Sequence, residues 1–224
     1  MLNVPTVVTD LENHVAESLD RSRFFSGLKA GDHSLGHLQA VFGQYYWWRN
    51  RFHRWFGVCI AKAPGFGTEA ATEFILSELI EHIEEEITGD HHGMCVTFLR
   101  ELGLTDLPAI TPIQVTREYT DSFADRYMPA ERSGEEALAA LAGRELVAPA
   151  RNRITIDALS QSYEVTKGLE FFSLHEELEV EHFKGLWEAV VKTYSGKHEQ
   201  LVEAAKTEVT LHVRFWDDVS EAVR

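Results

Sequence analysis

Apolar side chains recur every three or four residues along nearly the whole chain. The recurrence stops only at short polar or Gly/Pro breaks: GDHS at 31–34, KAPGFG at 62–67, TDLPAITP at 105–112 and AERSG at 130–134. That spacing predicts helices over about 8–29, 34–62, 68–102, 112–128, 134–160, 163–194 and 196–222, and no strand. Three helix starts are chemically specified. Ser34 precedes LGHLQAVF, Thr111 stands before Pro112, and Ser133 has Glu136 three residues on, the pattern of a capping box. About seven helices with short connections, no repeat and no shift of composition predict a single all-α domain over 1–224.

Composition narrows the function classes. Of the 224 residues 44% are hydrophobic, including 13 Phe, 6 Tyr and 5 Trp, enough for a sizeable core. The 36 acidic residues against 21 Lys and Arg give a formal charge of −15, which repels nucleic acid and anionic membranes alike. Cys59 and Cys95, without CxxC spacing, fit a reducing compartment, and there is neither a basic apolar leader nor a membrane-length apolar run, so a cytoplasmic protein is expected. In YYWWRNRFHRWF, residues 45–56, the aromatic side chains are expected in the core and Arg49, Arg51 and Arg54 at the surface.

The chemistry begins at HEELEVEHFKGLW, residues 175–187. Offsets of four and seven from His175 place Glu179 and His182 within roughly 60° of it around a helix. Phe171, Phe172, Leu178, Phe183 and Leu186 flank that stripe and draw it inward, while Glu176, Glu177 and Glu181 read as solvated. Two imidazoles and a carboxylate half-fill a dinuclear iron or manganese site. In 78–104, Glu84 and His91 are seven apart, about two helical turns, and so face the same way; Glu85 and His92 are the shifted register. The rest of that acidic run, Glu78, Glu81, His82 and Glu86, reads as a solvated face. Glu145 is followed four residues later by Pro149, which cannot donate to its carbonyl, so the helix should loosen there.

In this order the residues resemble the haem-oxygenase-like diiron oxidases and oxygenases, which share their fold with pyrroloquinoline quinone synthase and thiaminase-type proteins. His91-x-x-Met94-x-x-x-Phe98-x-x-x-Leu102-Gly103 is similar to the family's HPELWLRFAEGLG-type segment, which favours His91 over His92. RELVAP at 144–149 resembles its ES-x-x-P element, and GLEFFSLHEELEVEH at 168–182 resembles its FF-x-x-H-x-x-x-D-x-x-H helix, with Glu179 in place of Asp. The stretch from Ser22 to Trp48 resembles the opening helices, so the likeness covers nearly the whole chain.

The resemblance implies a haem-oxygenase-like helical bundle in which Glu84, His91, Glu145, His175, Glu179 and His182 hold two Fe(II) ions, with manganese as the alternative. It further implies O2-dependent oxidation of a small amine or carboxylate metabolite, amino-acid-derived, with an external reductant and a homodimer as further expectations. Arg151, Arg153 and Lys167 lie near the ligand segments and are candidates for a substrate carboxylate, although charges of this kind usually face solvent. Three rivals remain. HEELE lacks the second His of a zinc HExxH site, a metal-free oxidase would leave six donors without a task, and an iron-storage bundle would carry more than one Glu-x-x-His pair.

Overall fold

The computed structural model describes residues 4–63, 70–193 and 198–224. Among them the chain is all-helical: α1 (Val4–Arg21), α2 (Arg23–Ala30), α3 (Leu35–Arg49), α4 (His53–Lys62), α5 (Ala70–Thr88), α6 (His91–Glu101), α7 (Gln114–Tyr127), α8 (Gly134–Ser162), α9 (Glu170–Thr193) and α10 (His198–Ala222), with a 3-10 turn at Leu107–Ala109. Most of the KAPGFG break and the junction expected near 195 lie outside the described residues.

Ten helices stand where about seven were expected, because three of the predicted helices break. Ser22 ends α1 and caps α2, its hydroxyl accepting from the Phe25 N–H. Asn50 to Phe52 turn the chain between α3 and α4. At Gly89–Asp90 the backbone enters the left-handed region (Asp90 φ 53°), and the Asp90 carboxylate accepts from the Gly93 N–H to start α6. Ser34 and the Ser133/Glu136 capping box start α3 and α8 as the sequence predicts. Thr111 does not cap α7. Its first turn is fixed instead by Gln44, whose Oε1 accepts from the Ile113 N–H at 2.9 Å and the Thr116 hydroxyl at 2.8 Å.

The long helix α8 runs through the middle of the molecule, packed along α9 and α10 with α1, α2, α4 and α7 around it. It stays helical past Pro149. Its run from Ala137 to Ala142 is fully buried, and these short side chains let neighbouring helices approach closely. Gly143 is the tightest point, where a Cβ would collide with the Ala205 backbone on α10. Beside this seam an aromatic cluster fills the core: Trp216 stacks on Tyr45 at 4.8 Å and on Phe24 at 5.4 Å. The Gly143→Ala variant is expected to lose roughly 1–3 kcal/mol by overpacking, read as a lower midpoint in urea unfolding with unchanged helical circular dichroism before the transition.

Candidate metal centre

Four helices bring their donors to one place. The second half of α5 supplies His82 and Glu86, the first residue of α6 supplies His91, the middle of α8 supplies Glu145, and α9 supplies His175, Glu179 and His182. These side chains form two sets. His82, Glu145, Glu179 and His182 make one, and Glu86, His91 and His175 make the other; within each, one ligand atom per residue lies within 4.8 Å of all the others.

In the second set the His175 Nδ1–H donates to the Phe171 carbonyl at 2.6 Å. Its Nε2 is hydrogen-bonded to Glu86 Oε1 at 3.1 Å, and His91 Nδ1 stands 3.2 Å from the same oxygen without hydrogen-bond geometry. Two ligands at right angles on a first-row divalent ion, with bonds of about 2.1 Å, stand about 3.0 Å apart, so these separations suit a metal. Buried atoms without a partner point the same way: His82 Nδ1, His91 Nδ1 and Glu145 Oε1. Imidazole and carboxylate donors without thiolate suit iron or manganese.

The first set is compensated by an arginine. Arg144 donates to Glu145 at 2.6 Å and to Glu179 at 3.3 Å, and its guanidinium lies over Phe52 at 4.4 Å. His182 joins Glu179 (Nδ1, 3.0 Å) to Glu85 (Nε2, 2.9 Å), and its ring stacks on His82 with centroids 3.5 Å apart. Burial holds the Glu145 carboxyl well above the usual carboxylate range, with Arg144 only partly offsetting it. Burial acts on Glu179 in the same sense, but the hydrogen bonds from Glu145 and His182 hold it low, so the pair shares a proton carried on Glu145. Burial would lower His182, yet the hydrogen bond and charge of Glu179 outweigh it and raise the imidazole to about 9. His82, buried and beside His182, is pushed down to about 3 and is neutral. Burial would raise Glu86, but the His175 hydrogen bond, the neighbouring His91 ring and the charge of Arg49 outweigh it and keep the carboxylate ionised.

Of the six residues expected as ligands, five converge: His91, Glu145, His175, Glu179 and His182. Glu84 does not. It is exposed on α5, and Glu86 takes the place beside His91. The reason is the break at Gly89–Asp90, which cancels the seven-residue register that a continuous helix would give. His82 and Glu86, read from sequence as a solvated face, turn inward, with His82 only 4% exposed. The Gly-Asp pair at 89–90 is the signal that would have shown the break. His92 is exposed and bonded to Asn50, while Glu85 reaches His182.

The cations are also redistributed. Arg151, expected in solvent, is buried against His212 (2.8 Å) and Asn152; Arg153 pairs with Glu176 at the surface, and Lys167 is exposed. Only Arg54 of the three arginines in the aromatic run is exposed. Arg51 lies over Trp47, and Arg49 turns inward to Glu86. Both cysteines are buried, which pushes the Cys59 thiol up and Cys95 up to about 12, against a thiolate nucleophile at neutral pH.

Two cavities reach the centre. One, of about 370 Å³, opens on both donor sets through Glu86, His175 and Glu179; Arg49, Arg144, Phe52 and Phe56 also line it. The other, about 640 Å³ and mainly apolar, lies between α1, α8 and α9 and meets Glu179 from the far side.

Such a centre inside an all-helical fold defines a class, and the comparisons agree with it. The chain belongs to the family described as iron-containing redox enzymes, of haem-oxygenase-like type, whose sequence model matches residues 39–217. A relative, 4-chloro-allylglycine synthase of Streptantibioticus cattleyicolor, is 27% identical over 166 residues, 71% of this chain; the chain spans 63% of that relative's length. Solved structures share the fold. A protein of unknown function with a heme oxygenase-like fold from Shewanella denitrificans (TM-score 0.73, 16% identity) covers 99% of this chain and 94% of its own. A CADD-like protein from Nostoc punctiforme (0.74, 19%) covers 98% and 97%, and a TenA homologue from P. horikoshii (0.70, 18%) covers 96% and 98%. Among the described residues no helix is long and apolar enough to cross a membrane.

The protons on His182 and Glu145 fix the sign of a pH effect. Both groups are raised, so both are protonated near neutrality in the metal-free protein, and ligation must displace those protons. Metal affinity is therefore expected to rise between about pH 6.5 and 8.5, by about tenfold per unit for each proton displaced. Anaerobic Fe(II) titrations across that range, with proton release followed by an indicator dye, measure it.

Proposed function

We propose that the chain is a non-haem diiron oxidase or oxygenase that uses O2 to oxidise a small amine or carboxylate metabolite, amino-acid-derived, in specialised biosynthesis. The observation that carries this reading is the pair of donor sets meeting in one buried centre beside a cavity. The family's description as iron-containing redox enzymes supports the metal, and the similarity to 4-chloro-allylglycine synthase supports an amino-acid substrate. One domain over 1–224, a cytoplasmic location, an external reductant and a homodimer belong to the same reading, with manganese as the alternative metal.

His82, Glu145, Glu179 and His182 would hold one ion, and Glu86, His91 and His175 the other. Iron, when bound, supplies the redox chemistry with O2. The chain's own residues do the rest. The Phe171 carbonyl accepts from His175 Nδ1–H and fixes the tilt of that ring, and Glu85 on His182 Nε2 orients the ring so that its Nδ1 points to Glu179 and the rest of its donor set. Arg144 offsets the charge of Glu145 and Glu179, and the aromatic wall of Phe52, Phe56 and Phe171 restricts water at the cavity's inner end.

An anaerobic Fe(II) titration followed by mixing with O2 tests this. Two irons per chain, and a visible absorption that rises and decays after O2, are expected. Glu145→Ala and Glu86→Ala should each weaken iron binding at least about tenfold, while Glu84→Ala should match the parent. One iron or none, with Glu145→Ala indistinguishable from the parent, would sink the proposal.

A further inference from the structure

The chain carries a strong negative charge, yet the cavity beside the centre is lined by two guanidinium groups, Arg49 and Arg144. They are not equivalent. Arg144 is consumed: it bridges Glu145 and Glu179 and is closed off by aromatic rings. Arg49, the last residue of α3, uses one terminal nitrogen on Glu86 Oε2 and lies over the Phe171 ring at 5.2 Å. Its other nitrogens have no protein partner among the described residues and are not sealed from solvent, and Arg49 lines the cavity.

A guanidinium is a planar fork that can hold one carboxylate on each edge. Glu86 occupies one edge with the oxygen that does not face His91 and His175. The second edge is available to a ligand. Around it the cavity is amphipathic, with Phe52, Phe56 and Ile83 forming an apolar wall. We propose that Arg49 is the substrate-anchoring residue of this cavity: it binds the carboxylate of a small organic acid or amino acid through its free edge, with the apolar body against that wall.

The charge balance favours this once the centre is filled. Two divalent ions against the three carboxylates Glu86, Glu145 and Glu179 leave one positive charge, Arg49 and Arg144 bring it to three, and Asp90, which also lines the cavity, lowers it to two. An anion then enters a positive site within a negative protein. Because Arg49 holds Glu86 as well, the same side chain ties the bound carboxylate to one donor set.

The inference rests on the proposed dimetal function, and its test keeps the two apart. Isothermal titration of hexanoate and L-norleucine, and of the neutral hexanamide and L-norleucinamide, would be run anaerobically on the Fe(II)-loaded protein and on the metal-free protein, with iron counted by elemental analysis. The parent should bind the acids at least tenfold more tightly than the amides. Arg49→Gln should remove that preference and leave amide binding and the iron count unchanged, with Arg49→Lys intermediate. Equal binding of acid and amide by the parent, no binding of either acid, or a preference that survives in Arg49→Gln would overturn the assignment. So would loss of iron in Arg49→Gln, which would make the residue a positioning group for Glu86 alone. Failure to load iron, with acid selectivity still lost in Arg49→Gln on the metal-free protein, would instead count against the dimetal function and not against Arg49.

Discussion

Glu145 and Glu179 lie almost without solvent contact on adjacent helices, and the rest of the centre is arranged around the cost of that burial. Removing two carboxylates from water costs several kcal/mol each unless opposite charge and hydrogen bonds replace the solvent. Arg144 supplies that charge from the residue next to Glu145, and its own burial is tolerable only because both carboxylates touch it. The same stretch of α8, rich in Ala and ending at Gly143, lets α10 close in on its other flank, where Gly143 meets the Ala205 backbone. The orphaned oxygen of Glu145 and the orphaned nitrogens of His82 and His91 are what remains uncompensated by protein, and they mark where a cation completes the balance.

How much of this could be read in the sequence follows from helix continuity. His175, Glu179 and His182 were legible because α9 runs unbroken through them and apolar residues flank the stripe. Glu145 was legible only through the resemblance of RELVAP to the family's element, since the loosening expected before Pro149 does not occur and α8 runs on. Glu84 was misplaced where continuity fails: at Asp90 a left-handed residue resets the helix phase, so counting turns from α5 into α6 gives the wrong carboxylate. The same counting hid His82 and Glu86, which face inward within α5 although their neighbours in sequence are acidic. Periodicity treats a local run of charge as solvated; here α9 covers that face and buries part of it. Arginine placement was the least legible, since a long side chain reaches inward or outward from nearly the same backbone position.

The two donor sets do not meet the cavity equally. Of the four-residue set only Glu179 lines it, whereas the three-residue set presents both Glu86 and His175. The set with fewer protein donors is thus the one more open to small molecules, and an ion held there would keep more coordination positions for them. Fold alone cannot assign a substrate, since proteins of TenA and CADD type share this architecture at identities below 20%. Specificity has to come from side chains facing the open edge. The cationic side chains lining that cavity are Arg49 and Arg144, with Asp90 as a further carboxylate, and Arg144 is already committed to Glu145 and Glu179. On the proposed function, the choice of substrate would therefore reduce, physically, to what the guanidinium of Arg49 and the aromatic wall beside it can hold next to an ion at the three-residue set.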